Sequence, residues 1–265
     1  MIRVWFNHWF STSYRLIELM KQDKEEEIYI IGSNKQVNSV IQEVCDGWYE
    51  EQDVGGEEYV EYCLNFCKQH QVDVFVPRRL MVLISENRER FDKLGVKLMV
   101  DDFEVISFLN DKAATYDFFK KCEGLYIPDY YVTNTASQFK EAYEKLLEKY
   151  EKICIKFVKD EGGLSFRKIV DKVDSFSSLR VYPGNDIALD TLMDALASVE
   201  EFDDLMVMPY FPGKEISVDC LQTQDGLIAV SRIKGSGRHE FVQYSQEILD
   251  MVDIIMDKIR LLYRD

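Results

Sequence analysis

The chain has 265 residues, 46% of them hydrophobic, with 13 glycines and 5 prolines. That is enough apolar material for one large core or two ordinary ones, and too little Gly and Pro for a low-complexity protein. A formal charge of −16 argues against a general nucleic-acid binder, which needs clustered Lys and Arg, but it leaves room for a small anion held by a few local cations.

No apolar run approaches the ~18–20 residues needed to cross a bilayer. The N-terminal MIRVWFNHWF lacks a signal peptide's basic start and small-residue cleavage site. The expectation is a soluble, cytoplasmic protein with no membrane partner. Six scattered cysteines read as reduced thiols; Cys63 and Cys67 share a helix face, but no second pair completes a metal site.

In chain order, IRVWF (2–6) reads as a strand and Tyr14 to Lys21 as a helix with Leu16, Ile17, Leu19 and Met20 on its apolar face. IYIIGS (28–33) reads as a second strand, completing a βαβ unit. Glu57 to His70 is predicted helical, with Tyr59, Cys63, Phe66 and Cys67 on one side. A strand over 72–77, a helix from Leu80 to Leu94 and a strand over 96–100 follow. This alternation predicts an open, mostly parallel sheet for residues 1–101. The first turn, FNHWFSTS, has no G-x-G-x-x-G fingerprint, so the unit is not built for a dinucleotide. Asn7, His8, Arg78 and Arg79 fall at strand ends, where they read either as polar loop residues or as groups facing a substrate.

A helical stretch from Phe103 to Lys121 contains Asp111-Lys112, and Pro128 shapes an extended segment. Gln138 to Lys152 is a charged helix with Phe139, Tyr143, Leu146, Leu147 and Tyr150 as its inner stripe. A hairpin around Gly162-Gly163 follows, then a helix near Asp190 to Ser198 and a strand over 205–211. EISVDCL (215–221) and LIAVSRIK (227–234) read as antiparallel partners across a TQDG turn. An amphipathic helix from Ser245 to Leu262 carries Ile248, Met251, Val252, Ile255 and Ile259 inward.

The sequence has no G-x-S-x-G elbow, no H-E-x-x-H and no Walker loop, and His8, His70 and His239 are too few for His-based catalysis. What remains is an order of elements. Lys112 and Lys156 are flexible point cations suited to phosphate oxygens. Gly162 and Gly163 either make a plain hairpin turn or let backbone N–H groups face an anion. Met206 to Phe211 can line an adenine plane, and Glu215 can accept from ribose hydroxyls.

Four segments in this order carry a resemblance: NDKAATYDFFKKCEGLYIPDYYV, ICIKFVKDEGGLSF, LMVMPYFPGKEISVDC and IAVSRIKGSG. The chain resembles the ATP-grasp carboxylate–amine ligases, especially the carbamoyl-phosphate-synthase-like branch, over residues 110–238. The resemblance implies an α/β fold, α+β in the lid. A parallel-sheet domain of the pre-ATP-grasp type (1–101) would precede an incomplete ATP-grasp domain (102–265), with a lid at about 117–204 and a C-terminal subdomain at 205–265. It implies that Lys112 and Lys156 contact ATP phosphates and that Gly162, Gly163 and Ser165 cover them. Pro209 and Phe211 would offer backbone groups to adenine beside Met208 and Tyr210. Glu215 would bind ribose, and Arg232 or Lys234 would stand near the γ-phosphate.

Two departures stand out. Met208 occupies a hinge position usually held by Glu or Gln. The family's acidic Mg²⁺ ligands are expected downstream of residue 265, so no metal ligand is expected within this chain. The implied function is an ATP-dependent ligase acting on a small carboxylate or amino acid through an acyl phosphate, impaired as a fragment. The alternatives are an ATP-binding module without turnover or an interaction protein retaining the fold; a homodimer is compatible with each.

Overall fold

The computed structural model describes residues 1–36, 38–160, 163–174, 176, 184–223, 225–235 and 240–262. Two compact units divide the chain, Met1–Ser107 and Phe108–Asp265.

The first unit is built on five parallel strands: β1 (Ile2–Asn7), β2 (Ile28–Asn34), β3 (Gly47–Glu50), β4 (Val74–Val76) and β5 (Lys97–Leu98), in the order β3-β2-β1-β4-β5. Parallel strands covered on both faces read as continuous apolar runs, and β1 shows why. Its Val4 and Phe6 pack with Ile17, Ile30 and Ile41 on one face, while Trp5 points to the other among Tyr59, Phe66, Phe75 and Phe91. The Trp5 ring stacks 4.0 Å from Phe75 and 4.3 Å from Phe66.

α1 (Ser13–Met20) covers the first face through Ile17, which is fully buried; Leu16 and Leu19, expected on that face, are about half exposed because only one narrow edge of this short helix meets the sheet. α2 (Gly56–His70) covers the other face with Tyr59, Cys63, Phe66 and Cys67. Glu57 and Glu58 in its first turn and Lys68 and His70 in its last suit the helix dipole, and Gln71, at φ 52°, closes it in the left-handed region.

The single helix expected over 80–94 is instead α3 (Met81–Glu86) and α4 (Arg88–Asp92). Asn87 breaks it: its amide donates to the Leu83 carbonyl at 3.0 Å, a side-chain bond that competes with the helix ladder. A 3-10 turn (Val40–Val44) and β3 fill a region with no readable pattern.

The stretch expected as one helix over 103–121 is also two, α5 (Phe103–Asn110) and α6 (Lys112–Phe119). Asp111 is not inside a helix. It caps α6, accepting from the Ala114 N–H at 2.9 Å.

The second unit has a five-stranded sheet of β6 (Tyr131–Thr133), β7 (Ile153–Phe157), β8 (Arg167–Val170), β9 (Asp186–Ala188) and β10 (Leu205–Pro209), ordered β6-β10-β7-β8-β9. The pairings are antiparallel except β8 with β9. α7 (Ala136–Leu147) and α8 (Leu189–Ala197) cover one face, where Phe139, Leu146, Leu192 and Leu196 meet Ile153, Ile155, Leu205 and Val207. Thr135 caps α7, which starts two residues before the expected boundary and ends at Leu147, itself largely exposed.

A three-stranded antiparallel sheet follows, β11 (Ile216–Thr223), β12 (Gly226–Lys234) and β13 (Glu240–Val242), then α9 (Gln246–Leu262). Within the β11–β12 turn, Thr223 Oγ1 accepts from the Asp225 N–H at 3.2 Å and donates to the Gly226 carbonyl at 2.8 Å. Among the described residues no helix is long and apolar enough to cross a membrane.

Candidate functional site

Strand alternation decides which groups of the second unit are left for chemistry. With the odd residues of β7 and β10 spent on α7 and α8, the opposite face carries Cys154, Lys156, Met206 and Met208. Lys156 stands opposite Met206, and Cys154 opposite Met208 on one side and Lys168 on the other. Cys154, Val158, Met206 and Met208 form a buried apolar floor, bordered by Ala113 and Tyr116 of α6 and by Tyr130, Phe166 and Tyr210.

Two cations border this floor. Lys156 Nζ donates to the Tyr116 hydroxyl at 3.1 Å and lies 5.0 Å from that ring's centroid. Lys168 Nζ pairs with Asp186 at 2.9 Å and sits 5.5 Å above the Tyr210 ring, which in turn lies 6.3 Å from Phe166. An ammonium over an aromatic face keeps its charge while shedding part of its water, a suitable state for receiving an anion.

Lys112 opens α6 close by. Its Nζ donates to the carbonyls of Asp160 at 2.8 Å and Val158 at 3.2 Å. Desolvation holds its pKa below the ordinary lysine value; Lys156 pushes the same way, while Asp160 and Asp111 oppose the shift. The loop after β7 folds back on itself. Ser165 Oγ accepts from the Phe157 N–H at 2.9 Å, and both the N–H and the hydroxyl of Ser165 donate to Asp160 Oδ2, at 2.9 and 2.6 Å. Gly163 takes φ 69°, a left-handed value that suits glycine, and its carbonyl accepts from the Phe166 N–H at 3.1 Å. Gly162 lies outside the described residues, as does His239.

The strand expected to reach residue 211 stops at Pro209. The Tyr210 N–H donates to the Lys152 carbonyl at 2.7 Å, the Cys154 thiol lies 3.6 Å from the Pro209 carbonyl, and the Phe211 side chain is half exposed. At the three-stranded sheet the expected ligand groups are engaged in ion pairs. Glu215 Oε1 accepts from Lys234 Nζ at 2.5 Å, and Arg232 engages Asp219 at 2.8 Å and Glu240. Among the described residues no group of three or more His, Cys, Asp or Glu side chains could hold a metal ion.

In the first unit the strand-end residues build a buried polar network. The Asn7 amide donates to the Tyr59 hydroxyl at 2.7 Å, and its Oδ1 accepts from the Arg78 N–H at 2.5 Å. Tyr59 and Ser33 each donate to the Glu51 carboxylate at 2.9 Å, and Trp5 Nε1 donates to Ser33 Oγ at 2.8 Å. Arg79 stacks 4.2 Å over Tyr59, lies 3.4 Å from Glu51 and donates to the carbonyls of Gln52 and Val54. Burial holds the Tyr59 phenol far above its usual pKa. His8 sits at φ 49°, and its buried Nδ1 has no hydrogen-bond partner among the described residues; the Arg78 guanidinium lies 5.1 Å from the Phe10 ring.

Sequence reasoning passed over Tyr116, Lys168, Asp160 and Glu51. Lys168 reaches the face of Lys156 only through the register that sets it opposite Cys154. The other three give no sign in residue type or spacing.

A family model described as "ATP-grasp in the biosynthetic pathway with Ter operon" matches residues 201–264. None of the curated proteins matches the chain. Among solved structures, an N5-carboxyaminoimidazole synthetase from Staphylococcus aureus complexed with ADP superposes with TM-score 0.61 at 10% identity, over 98% of this chain and 62% of that one. An L-amino acid ligase from Bacillus licheniformis gives 0.62 at 11% identity, over 98% and 60%. A D-Ala:D-Ser ligase from Enterococcus faecalis gives 0.57 at 11%, over 97% and 82%. The chain has the ATP-grasp fold, with an N-terminal parallel-sheet unit in front. It spans about three fifths of the length of the first two of these structures.

Proposed function

We propose that the chain forms the nucleotide-binding part of an ATP-dependent carboxylate–amine ligase. The observation that carries this reading is the sheet face opposite α7 and α8, where Lys156 and Lys168 border the buried floor of Cys154, Met206 and Met208. A flat apolar floor edged by aromatics suits a purine, and cations at its border suit phosphates. Support comes from the shared fold and from the ADP named with one of the similar structures.

In this reading Lys112 and Lys156 offset phosphate charge, with Gly162, Gly163 and Ser165 supplying donors from the loop. The Pro209 carbonyl and Phe211 N–H meet adenine beside Met208 and Tyr210. Glu215 exchanges Lys234 for ribose hydroxyls, and Lys234 or Arg232 turns toward the terminal phosphate. At the strand ends of the first unit Asn7 and Arg79 are spent inside the protein, and a substrate-facing role there falls to His8, whose Nδ1 has no partner among the described residues.

The chemistry is two displacements. A carboxylate oxygen attacks the γ-phosphorus, and the bond to ADP breaks. An amine then attacks the acyl phosphate, phosphate leaves and the amine loses a proton, giving an amide. Positioning and charge offset are what these residues contribute. The test is calorimetric titration of ADP into the chain and into Lys156→Ala. It is followed by ATP with panels of carboxylates and hydroxylamine, which captures an acyl phosphate as a hydroxamate. Binding lost in the variant together with hydroxamate formation supports the ligase; binding without hydroxamate supports a nucleotide-binding module.

A further inference from the structure

The loop that the proposed function assigns to phosphate already holds an anion of its own. Ser165 gives both its backbone N–H and its hydroxyl to Asp160 Oδ2, at 2.9 and 2.6 Å. A phosphate oxygen arriving at this loop would seek those same two donors. Lys112 reinforces the arrangement from the other side, since its Nζ is held by the Asp160 and Val158 carbonyls. One residue, Asp160, therefore engages two of the phosphate-seeking groups at once, through its carboxylate and through its backbone oxygen.

Resting on the nucleotide reading above, we propose that Asp160 is an affinity-setting residue whose carboxylate stands in for a phosphate oxygen on Ser165 and must be displaced when a polyphosphate binds. Two physical costs follow. Charge-assisted hydrogen bonds to Ser165 are broken, and the released carboxylate remains near the incoming anion. The first cost is fixed, the second grows with the charge of the ligand's phosphates, and neither is incurred by the base. Asp160 thus lowers affinity selectively for the phosphorylated end of the ligand.

The test uses the whole chain, with ADP, ATP and adenosine titrated by calorimetry in EDTA into wild type, Asp160→Asn and Asp160→Ala. Asn preserves an acceptor for Ser165 while removing the charge; Ala frees the donors entirely. The expected result is at least about tenfold tighter ADP and ATP binding in Asp160→Asn, the scale of one charge-assisted hydrogen bond, with adenosine changed less than about twofold. A larger gain for ATP than for ADP is also expected.

Unchanged or weaker ADP binding in Asp160→Asn, while wild type still binds ADP, overturns the proposal and leaves the nucleotide reading intact. So does an equal gain for adenosine. Weaker binding in both variants, with faster proteolytic cleavage between residues 158 and 166, would make Asp160 a structural brace and likewise overturn it. Absence of ADP binding in wild type and in both variants removes the nucleotide reading, and this proposal with it.

Discussion

Arg79→Ala is expected to destabilise the first unit severely, because of what Arg79 leaves behind. The Glu51 side chain is fully buried and that of Arg79 is only 13% exposed. Removing the guanidinium leaves a carboxylate with two hydroxyl donors and no counter-charge, and frees the carbonyls of Gln52 and Val54. Breaking a buried ion pair from one side costs about 3–5 kcal/mol. For a unit of this size that lowers the melting temperature by more than about 10 °C.

The assay is urea unfolding followed by tryptophan fluorescence. Trp5, Trp9 and Trp48 are the three tryptophans of the chain, and all lie in the first unit, so the signal reports that unit alone. Adding Glu51→Gln to Arg79→Ala should recover part of the loss, since the uncompensated charge is gone. Arg79→Lys should fall between, keeping charge but losing the fork that reaches the two carbonyls. A loss below about 1 kcal/mol for Arg79→Ala, the range of an exposed pair, would refute the reasoning and return Arg79 to the candidate substrate groups.

Lys156→Ala should weaken ADP binding about tenfold or more, the scale of a charge-assisted hydrogen bond, with the tryptophan transition unmoved; Tyr116→Phe should cost less. Because the Lys112 pKa is depressed, the folded state binds fewer protons than the unfolded one between the depressed value and the ordinary lysine value. Stability should therefore rise with pH across that window. ADP affinity should fall over the same window as Lys112 loses its charge, and Lys112→Arg should abolish that fall. Iodoacetamide near pH 8, read by mass spectrometry, should label exposed Cys220 first. Cys154 and Cys45 should stay unmodified until unfolding, since burial pushes their thiols up to about 11 and about 12.

The parallel sheet of the first unit was readable because β1, β2 and β4 are apolar runs separated by a helix period. β3 was not, since GWYE has no alternation and only its pairing with β2 makes it a strand. The two broken helices follow from side-chain chemistry at Asn87 and Asp111, where propensity favours continuation and a single hydrogen bond decides otherwise. Around the candidate site, Lys112 and Lys156 stand out by residue type and order. Lys168 emerges only from the register that sets it opposite Cys154. Arg79 and Arg78 look equivalent as a sequence pair, yet Arg79 turns inward to a buried carboxylate that no spacing announces.

The strand order β6-β10-β7 has a consequence for synthesis from the N-terminus. β6 and β7 are neighbours in sequence but not in the sheet; β10 lies between them, with all five of its residues buried. No β6–β7 hairpin can nucleate this sheet, and both strands emerge from the ribosome with open edges. Those edges close only after Leu205–Pro209 has been made, a delay that exposes unpaired strands to aggregation. On a growing chain, the strand that brings Met206 and Met208 to the apolar floor is thus also the last piece needed to seal the sheet around it.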